Sequence, residues 1–507
     1  MIDPPARAPA GPEITLQRRL ANLRATLRAP ALGPDERPPA GPGPAAAVAA
    51  RSRRLATTVA DLLGATVVIS DAGSVVRLDV PSAVMPLDRA RLAELPGQPP
   101  AGAPLVCLDT ETTGLATAAG TVAFLVGLGW WIGDRFRQTH LLLPDHADER
   151  ALLAEVSARI PPDAWLVTYN GRGFDWPLIE TRFRMAGLDA PAHAGHLDLL
   201  PLVRRVFRHR LEDARLGSVE AGVLGAARGL DVAGWEIPAI YLDALQGGPV
   251  EPLAAVVRHN EHDVRSLARL LAHVTDRYGT RAARRGAPRG DLAGFARSYA
   301  RERRHEEALE CLDDALESPA PIRDPFGRTP LPATVGPASA KPRPSWDDDA
   351  WWARGSRPDF GGRRPRGGWR GERGEGLGPA GPRVGAPVWD VGRAFTDERL
   401  AAERARLLRR LGRHAEAVEA WRVAAAAGGS LGVIAWIEIA KLREHRLDDP
   451  RGAMEATRAG WQAAERSRVL GRPLPRLEQD LIRRGTRLRA RLDRREDDRP
   501  PGRQPPG

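Results

Sequence analysis

The residues able to do chemistry fall in three acidic segments. The segment 105–114 reads LVCLDTETTG, and its short apolar run ends in Asp109 and Glu111. Residues i and i+2 share one face of a β-strand, so this triplet delivers two carboxylates to one point. Two more acidic segments follow in a fitting order, NGRGFDWPLI with Asp175 and HNEHDVRSL with Asp263. Strand, helix start and helix would together present four carboxylates, a set suited to two hard divalent cations such as Mg²⁺ or Mn²⁺. Two such cations can activate water on one side of a phosphodiester and stabilise the leaving oxygen on the other. In that arrangement Asp109 bridges the ions, Glu111 and Asp263 complete the nucleophile side, and Asp175 holds the second ion.

Each group also has a plainer reading. Asp175 precedes Trp176-Pro177 and could cap a helix with proline in its first turn. Asp263 borders an apolar stripe of Val264, Leu267, Leu270, Leu271 and Val274 and could be a boundary charge. His259 lies one helical turn before Asp263 on the same face, where it could take a proton from attacking water or make an ordinary polar contact. Thr112 and Gly114 follow the first carboxylates and could touch a terminal nucleotide through the backbone, or simply form a turn. Asn170 precedes Asp175. Arg204 and Arg208 are spaced to share a helix face and could track a phosphate backbone.

The elements that must hold these groups can be read from periodicity. A strand over 105–109 is followed by TVAFLVGLGWWI and FRQTHLLL, which flank the two-residue hairpin signal Gly133-Asp134. A helix near 148–159, a strand over 165–169 and a helix from Asp175 come next, with further helices at 196–209, 217–228 and 252–274. This order describes a mixed α/β sheet, flanked by helices, with its first strand central; the ribonuclease-H-like fold has that order.

Around this domain (99–278) the chain divides by composition. Residues 1–55 are Pro/Ala-rich and expected to be mostly disordered apart from a helix near Glu13–Arg28. Residues 56–98 read as a small β-rich segment with a hairpin at Asp71-Ala72-Gly73. Residues 290–318 form a two-helix pattern, and similar patterns recur over 396–490, resembling tetratricopeptide helix pairs in an all-α C-terminal region. The stretch 319–395 is an Arg/Gly/Pro/Trp-rich linker, and 491–507 is a disordered tail. Trp346, Trp351, Trp352 and Trp369 in the linker could stack on unpaired bases.

The 507-residue chain carries a formal charge of +11. The excess sits in the C-terminal part, while 101–280 has more acidic than basic side chains. A basic surface favours polyanions, chiefly nucleic acid. Nearly all basic residues are Arg, which a GC-rich genome also produces. Two cysteines exclude a disulfide framework or a cysteine-rich zinc module. No apolar leader or bilayer-length run is present, so a cytoplasmic protein without membrane contact is expected.

The motifs DTETTGL, NGRGFD and HNEHDV resemble the three exonuclease motifs of the DEDD superfamily. More narrowly, TYNGRGFDWPLI, HLDLLPLVRR, LGSVEAGVLG and HNEHDVRSL resemble the YprB-type ribonuclease-H-like branch, whose members carry tetratricopeptide-like repeats. The similarity covers about 100–278 and, loosely, the helical parts. It implies a metal-dependent 3′-to-5′ exonuclease acting on DNA in bacterial repair, like the mitomycin repair exonucleases, with a helicase or other repair protein as partner. The same chemistry on RNA, or a non-catalytic repeat scaffold, are the competing readings. One departure stands out. His-type DEDD enzymes place the histidine five residues before the last Asp and Tyr-type enzymes place a tyrosine four before it; here His259 stands at the tyrosine spacing.

Overall fold

The computed structural model describes residues 44–114, 120–226, 229, 231–318 and 395–497. They fall into two compact units divided between Ala315 and Leu316.

The first unit is built on one seven-stranded sheet in the order β1-β2-β5-β4-β3-β6-β7. Its strands are β1 (Thr66–Ser70), β2 (Gly73–Val84), β3 (Leu105–Thr112), β4 (Ala123–Ile132), β5 (Arg135–Leu142), β6 (Trp165–Thr168) and β7 (Gly195–Asp198). Pairing is antiparallel from β1 to β3, and parallel from β3 through β6 to β7. Gly133 has a φ of 62° and turns β4 into β5 in two residues, a conformation that costs a side-chain-bearing residue steric strain. The first strand of the sequence-read domain, β3, is interior as expected.

Helices α1 (Pro44–Leu63), α2 (Glu149–Ser157), α3 (Asp175–Met185), α4 (Leu199–Val206), α5 (Ile237–Leu245) and α6 (Glu251–Gly279) flank the sheet. In α6, Leu253, Val256, Val257, Val264, Leu267, Leu271 and Val274 recur at helical spacing and are all buried. That stripe packs on β3, β4 and β5. It can approach closely because β4 offers Gly127 and Gly129 at the crossing. A Cβ at Gly127 would lie 2.7 Å from Val264 Cγ2, and one at Gly129 would lie 2.8 Å from Val264 Cγ1.

Several expectations are corrected. Residues 44–55, expected to be disordered, belong to α1, which is fixed by Arg51 to Asp145 and by Ser52 to Asp148. The β-rich segment 56–98 is no separate unit: β2 pairs with β5, so the hairpin extends the main sheet. Residues 196–198, expected to begin a helix over 196–209, belong to β7 with Gly195, because they pair in parallel with β6. The helix expected over 217–228 is, among the described residues, a short turn, Leu216–Val219, continuing as a π turn over Glu220–Leu224; residues 227 and 228 lie outside the described residues. The helix near Glu13–Arg28 and residues 319–394 lie outside the described residues.

The helical pair α7 (Arg289–Arg301) and α8 (His305–Glu317) starts at the expected position but belongs mainly to the first unit. Arg210 Nη2 donates to Asp291 Oδ2 at 2.8 Å, Arg205 Nη1 to Ser298 Oγ at 2.9 Å, and Arg304 Nη1 to Glu94 O at 3.0 Å. Gly294 faces α4 so closely that a Cβ there would lie 2.5 Å from Val206 Cα.

The second unit is all-α: α9 (Asp397–Arg410), α10 (His414–Ala425), α11 (Gly429–His445), α12 (Pro450–Val469) and α13 (Pro475–Asp497), each packed on the next. Helix α13 runs through 491–497, where a disordered tail was expected; residues 498–507 lie outside the described residues. Buried Glu444 on α11 accepts from Arg484 Nη1 at 3.0 Å and Arg487 Nη2 at 2.7 Å on α13. Among the described residues no helix is long and apolar enough to cross a membrane.

Gly294→Ala tests the close approach of α7 to α4. The clash is with backbone and cannot be relieved by a rotamer change, so urea unfolding should show a loss of about 1–3 kcal/mol. A wild-type midpoint would mean that α7 is not held against α4.

Candidate metal centre

The four predicted carboxylates come from three elements. Asp109 and Glu111 stand on one face at the end of β3, Asp175 opens α3, and Asp263 lies mid-way along α6. Beyond Cys107 and its partner Val167, β6 no longer pairs with β3. The Thr110 N–H is taken up by Asp175 Oδ1 at 3.1 Å, and the Thr110 hydroxyl donates to the same oxygen at 2.5 Å. Asp175 is thereby tied to the residue between Asp109 and Glu111. The cap position of α3 is Phe174 and Asp175 is the first residue of the helix, so the capping reading does not describe it.

The electrostatics show that these groups share one space. Asp109 retains part of its exposure, yet loss of solvent around its carboxylate is the largest cause that pushes its pKa well above 3.8. The carboxylates of Asp263, Asp175 and Glu111 push in the same direction, and a hydrogen bond from Asn260 opposes them. Burial pushes Asp175 up to about 6 against the two bonds from Thr110. Such like-charge crowding is costly without a counter-cation. The donors are hard oxygens, the set Mg²⁺ or Mn²⁺ requires, so the residues present fit the group. Glu111, His259 and Asp263 bring one ligand atom each to within 4.8 Å of one another.

His259 is placed at the rim of this cluster. Its Nε2 lies 3.5 Å from Asp263 Oδ2 and 3.9 Å from Glu111 Oε1. Its Nδ1 lies 2.9 Å from Asp231 Oδ1. A carboxylate on Nδ1 sets the ring's direction and leaves Nε2 toward the cluster.

The remaining predicted residues flank the site. Thr112 is buried as the last residue of β3, and its hydroxyl donates to Gly114 O at 2.6 Å in the turn that follows. Asn170 is exposed after β6 with a φ of 68°, and its N–H donates to Asp198 Oδ1 at 2.8 Å. Asp198 also accepts from Arg172 N–H and Leu200 N–H, which fixes the loop leading into Asp175. Arg204 is exposed on α4 and acts electrostatically on Tyr169, beside Asn170. Arg208 does not share a helix face with it. Helix α4 ends at Val206, capped by Phe207, and Arg208 begins a 3₁₀ turn.

Two functional residues escaped the sequence reading, Asn260 and Asp231. Asn260 Nδ2 donates to Asp109 Oδ2 at 2.8 Å. A signal for it was present: Asn260 falls on the buried stripe of α6 between Val256 and Val264, where an aliphatic residue contributes roughly 1.5–3 kcal/mol. A buried amide left unbonded costs about 1–3 kcal/mol instead. A polar residue at that position therefore asks for partners. Asp231 stands in a loop and carried no periodic signal.

Residues 106–275 match the RNase_H superfamily. The chain is 32% identical over 217 residues to the uncharacterized protein YprB of Bacillus subtilis (strain 168), an alignment covering 42% of this chain and 52% of that relative. The chain thus spans about half the length of the curated relative it matches. All four carboxylates and His259 fall inside the matched domain, and its mixed, helix-flanked sheet is ribonuclease-H-like.

The burial of Asp175 has a measurable pH signature in metal-free protein. Asp175 binds its proton more tightly folded (about 6) than at its ordinary value of 3.8. Its contribution to stability is present below the lower value and is lost as pH rises through the higher one. Compared with Asp175→Asn in chelator, the wild type should therefore lose relative stability between about pH 4 and pH 6, read as a falling Tm difference. Excess Mn²⁺ should reverse the loss above pH 6. A pH-independent difference would mean that the Asp175 carboxylate is not buried beside Thr110.

Proposed function

We propose that the ribonuclease-H-like domain is a metal-dependent 3′-to-5′ exonuclease that hydrolyses phosphodiester bonds of DNA in a repair pathway. The observation that carries this reading is the convergence of Asp109, Glu111, Asp175 and Asp263, mutually repelling, at the C-terminal end of β3. Asp109, Glu111, Asp263 and Asp175 would hold the ions, with Asp109 shared between them, Glu111 and Asp263 on the nucleophile side and Asp175 on the other. Bound there, two divalent cations supply charge stabilisation to the attacking and leaving oxygens.

The chain's own residues do the rest. His259 Nε2 faces the nucleophile side and takes the proton of the attacking water. Asp231 keeps Nδ1 engaged, so that the ring does not turn away, and favours the imidazolium that forms. The loop fixed by Asp198 sets Asn170 beside the site, and Arg204 supplies a cation for the phosphate backbone of the incoming strand. The resemblance of the motifs to the repair branch supports DNA over RNA. The helices over 396–490, read as tetratricopeptide-like, dock a helicase or other repair protein, and the basic C-terminal half retains the polyanion.

End-labelled DNA and RNA oligonucleotides with Mg²⁺, Mn²⁺ or chelator test the reading. Stepwise shortening of 5′-labelled DNA that requires metal is the expected result. Faster digestion of RNA would reassign the substrate, and no digestion of either would favour the scaffold. Asp109→Ala should abolish cleavage with the fold intact; wild-type digestion by that variant would show the site to be misassigned. Loss of a proton-transfer group typically costs on the order of 10²–10⁴-fold. His259→Ala should fall in that range with little change in metal affinity, and Asp231→Asn should follow with a smaller loss. A loss under about threefold for His259→Ala would point to another base.

A further inference from the structure

Asp109 on β3, Gly127 on β4 and His140 on β5 are register partners in one row across the sheet. Neighbouring strands lie about 4.7–4.9 Å apart, so two strand spacings separate the Asp109 and His140 backbones. Gly127 leaves the slot between them open. A Cβ there would lie 2.2 Å from Asn260 Oδ1. Asn260 descends from α6 into this slot with 0% of its surface exposed. Its Nδ2 donates to Asp109 Oδ2 at 2.8 Å, and its Oδ1 lies 2.8 Å from His140 Nδ1.

The hydrogen positions follow from the chemistry of the groups. A carboxylate that receives a metal ion is ionised and only accepts, so the Asn260 NH₂ faces Asp109 and the carbonyl faces His140. His140 Nδ1 must then carry the hydrogen that the carbonyl accepts. His140 Nε2 is buried with no hydrogen-bond partner among the described residues. A second ring hydrogen there would be an unpaired buried donor, so the ring is neutral. Its burial, which lowers its pKa, acts in the same sense.

We propose that His140 and Asn260 are positioning residues of the metal centre: the Nδ1–H of His140 fixes the Asn260 amide, and the amide fixes the Asp109 carboxylate where the ions are received. The proposal rests on the reading above that Asp109 holds metal. Its physical need is plain. Asp109 faces three other carboxylates, and without a restraint its side chain would rotate away from them. Asn260 tethers one oxygen, and His140 prevents the amide from flipping, which would turn a carbonyl against the carboxylate. An apolar pair of equal volume would fill the slot equally well but would leave Asp109 untethered.

Mn²⁺ binding to the full chain, measured by calorimetry, tests this without reference to turnover. Partners that orient a metal ligand typically contribute 10–100-fold in affinity. Asn260→Leu, close in volume, should weaken Mn²⁺ binding by about tenfold or more. His140→Phe, which keeps a ring in the slot, should weaken it in the same direction. The double variant should be no weaker than Asn260→Leu, because both residues act through one carboxylate. Near-UV circular dichroism checks that each variant is folded; if Asn260→Leu is not, His140→Phe carries the test alone. Folded variants with wild-type Mn²⁺ affinity would overturn the relay and leave the metal reading standing, and so would losses that simply add. A wild type that binds no Mn²⁺ would overturn the metal reading and the relay with it.

Discussion

The site exists because one helix can lie unusually close to one strand. Helix α6 brings Asn260 and Asp263 to the carboxylates of β3 only where β4 has no side chains between them, at Gly127 and Gly129. The aliphatic stripe of α6 supplies the attraction, and the glycines set the distance. Any side chain on β4 at these positions would lift the helix and withdraw its carboxylate and His259 from the β3 pair. Packing thus overrides the repulsion among the acids in the metal-free fold: several buried aliphatic side chains each contribute on the order of 1.5–3 kcal/mol, enough to hold the crowded carboxylates in place.

The same logic of fixed approach recurs around the centre. Asp175 is held by both polar groups of Thr110, and the loop before it is held by Asp198, which accepts three backbone N–H groups. Asp231 directs His259. Asp109, Asp175 and His259 are therefore each oriented by a neighbour outside the cluster of carboxylates. Such preorganisation matters most for charged ligands, which gain from being placed before the cation arrives.

Much of this was legible in the chain and some was not. The apolar run ending in Asp109 and Glu111, the Gly133-Asp134 turn and the 252–274 stripe point to β3, the β4–β5 hairpin and α6, and so to three of the four carboxylates; the fourth, Asp175, is marked by the helix start before Trp176-Pro177. The β1–β2 hairpin was visible as a hairpin, but its membership of the main sheet was not, because pairing with β5 is a long-range choice that local pattern does not encode. The strand β7 was read as helix because its four residues abut the apolar stripe of α4 and only its parallel pairing with β6 distinguishes them. Arg208 was misplaced by one structural fact, the end of α4 at Val206. Asp231 was out of reach, since a loop carboxylate acquires meaning only from the histidine it meets.

The β1–β2 hairpin has a bearing on how this domain can be handled in isolation. Strand β5 is almost entirely buried, and its outer row of backbone donors and acceptors is satisfied by β2. A fragment begun at residue 99, where the acidic motifs suggest a natural boundary, would strip that partner away. It would keep every residue of the centre and yet present an eight-residue strand edge of unpaired backbone groups to solvent. Such an edge recruits strands from other molecules, so the fragment would be prone to self-association. The residues before the first motif thus act as the seal on an otherwise adhesive border.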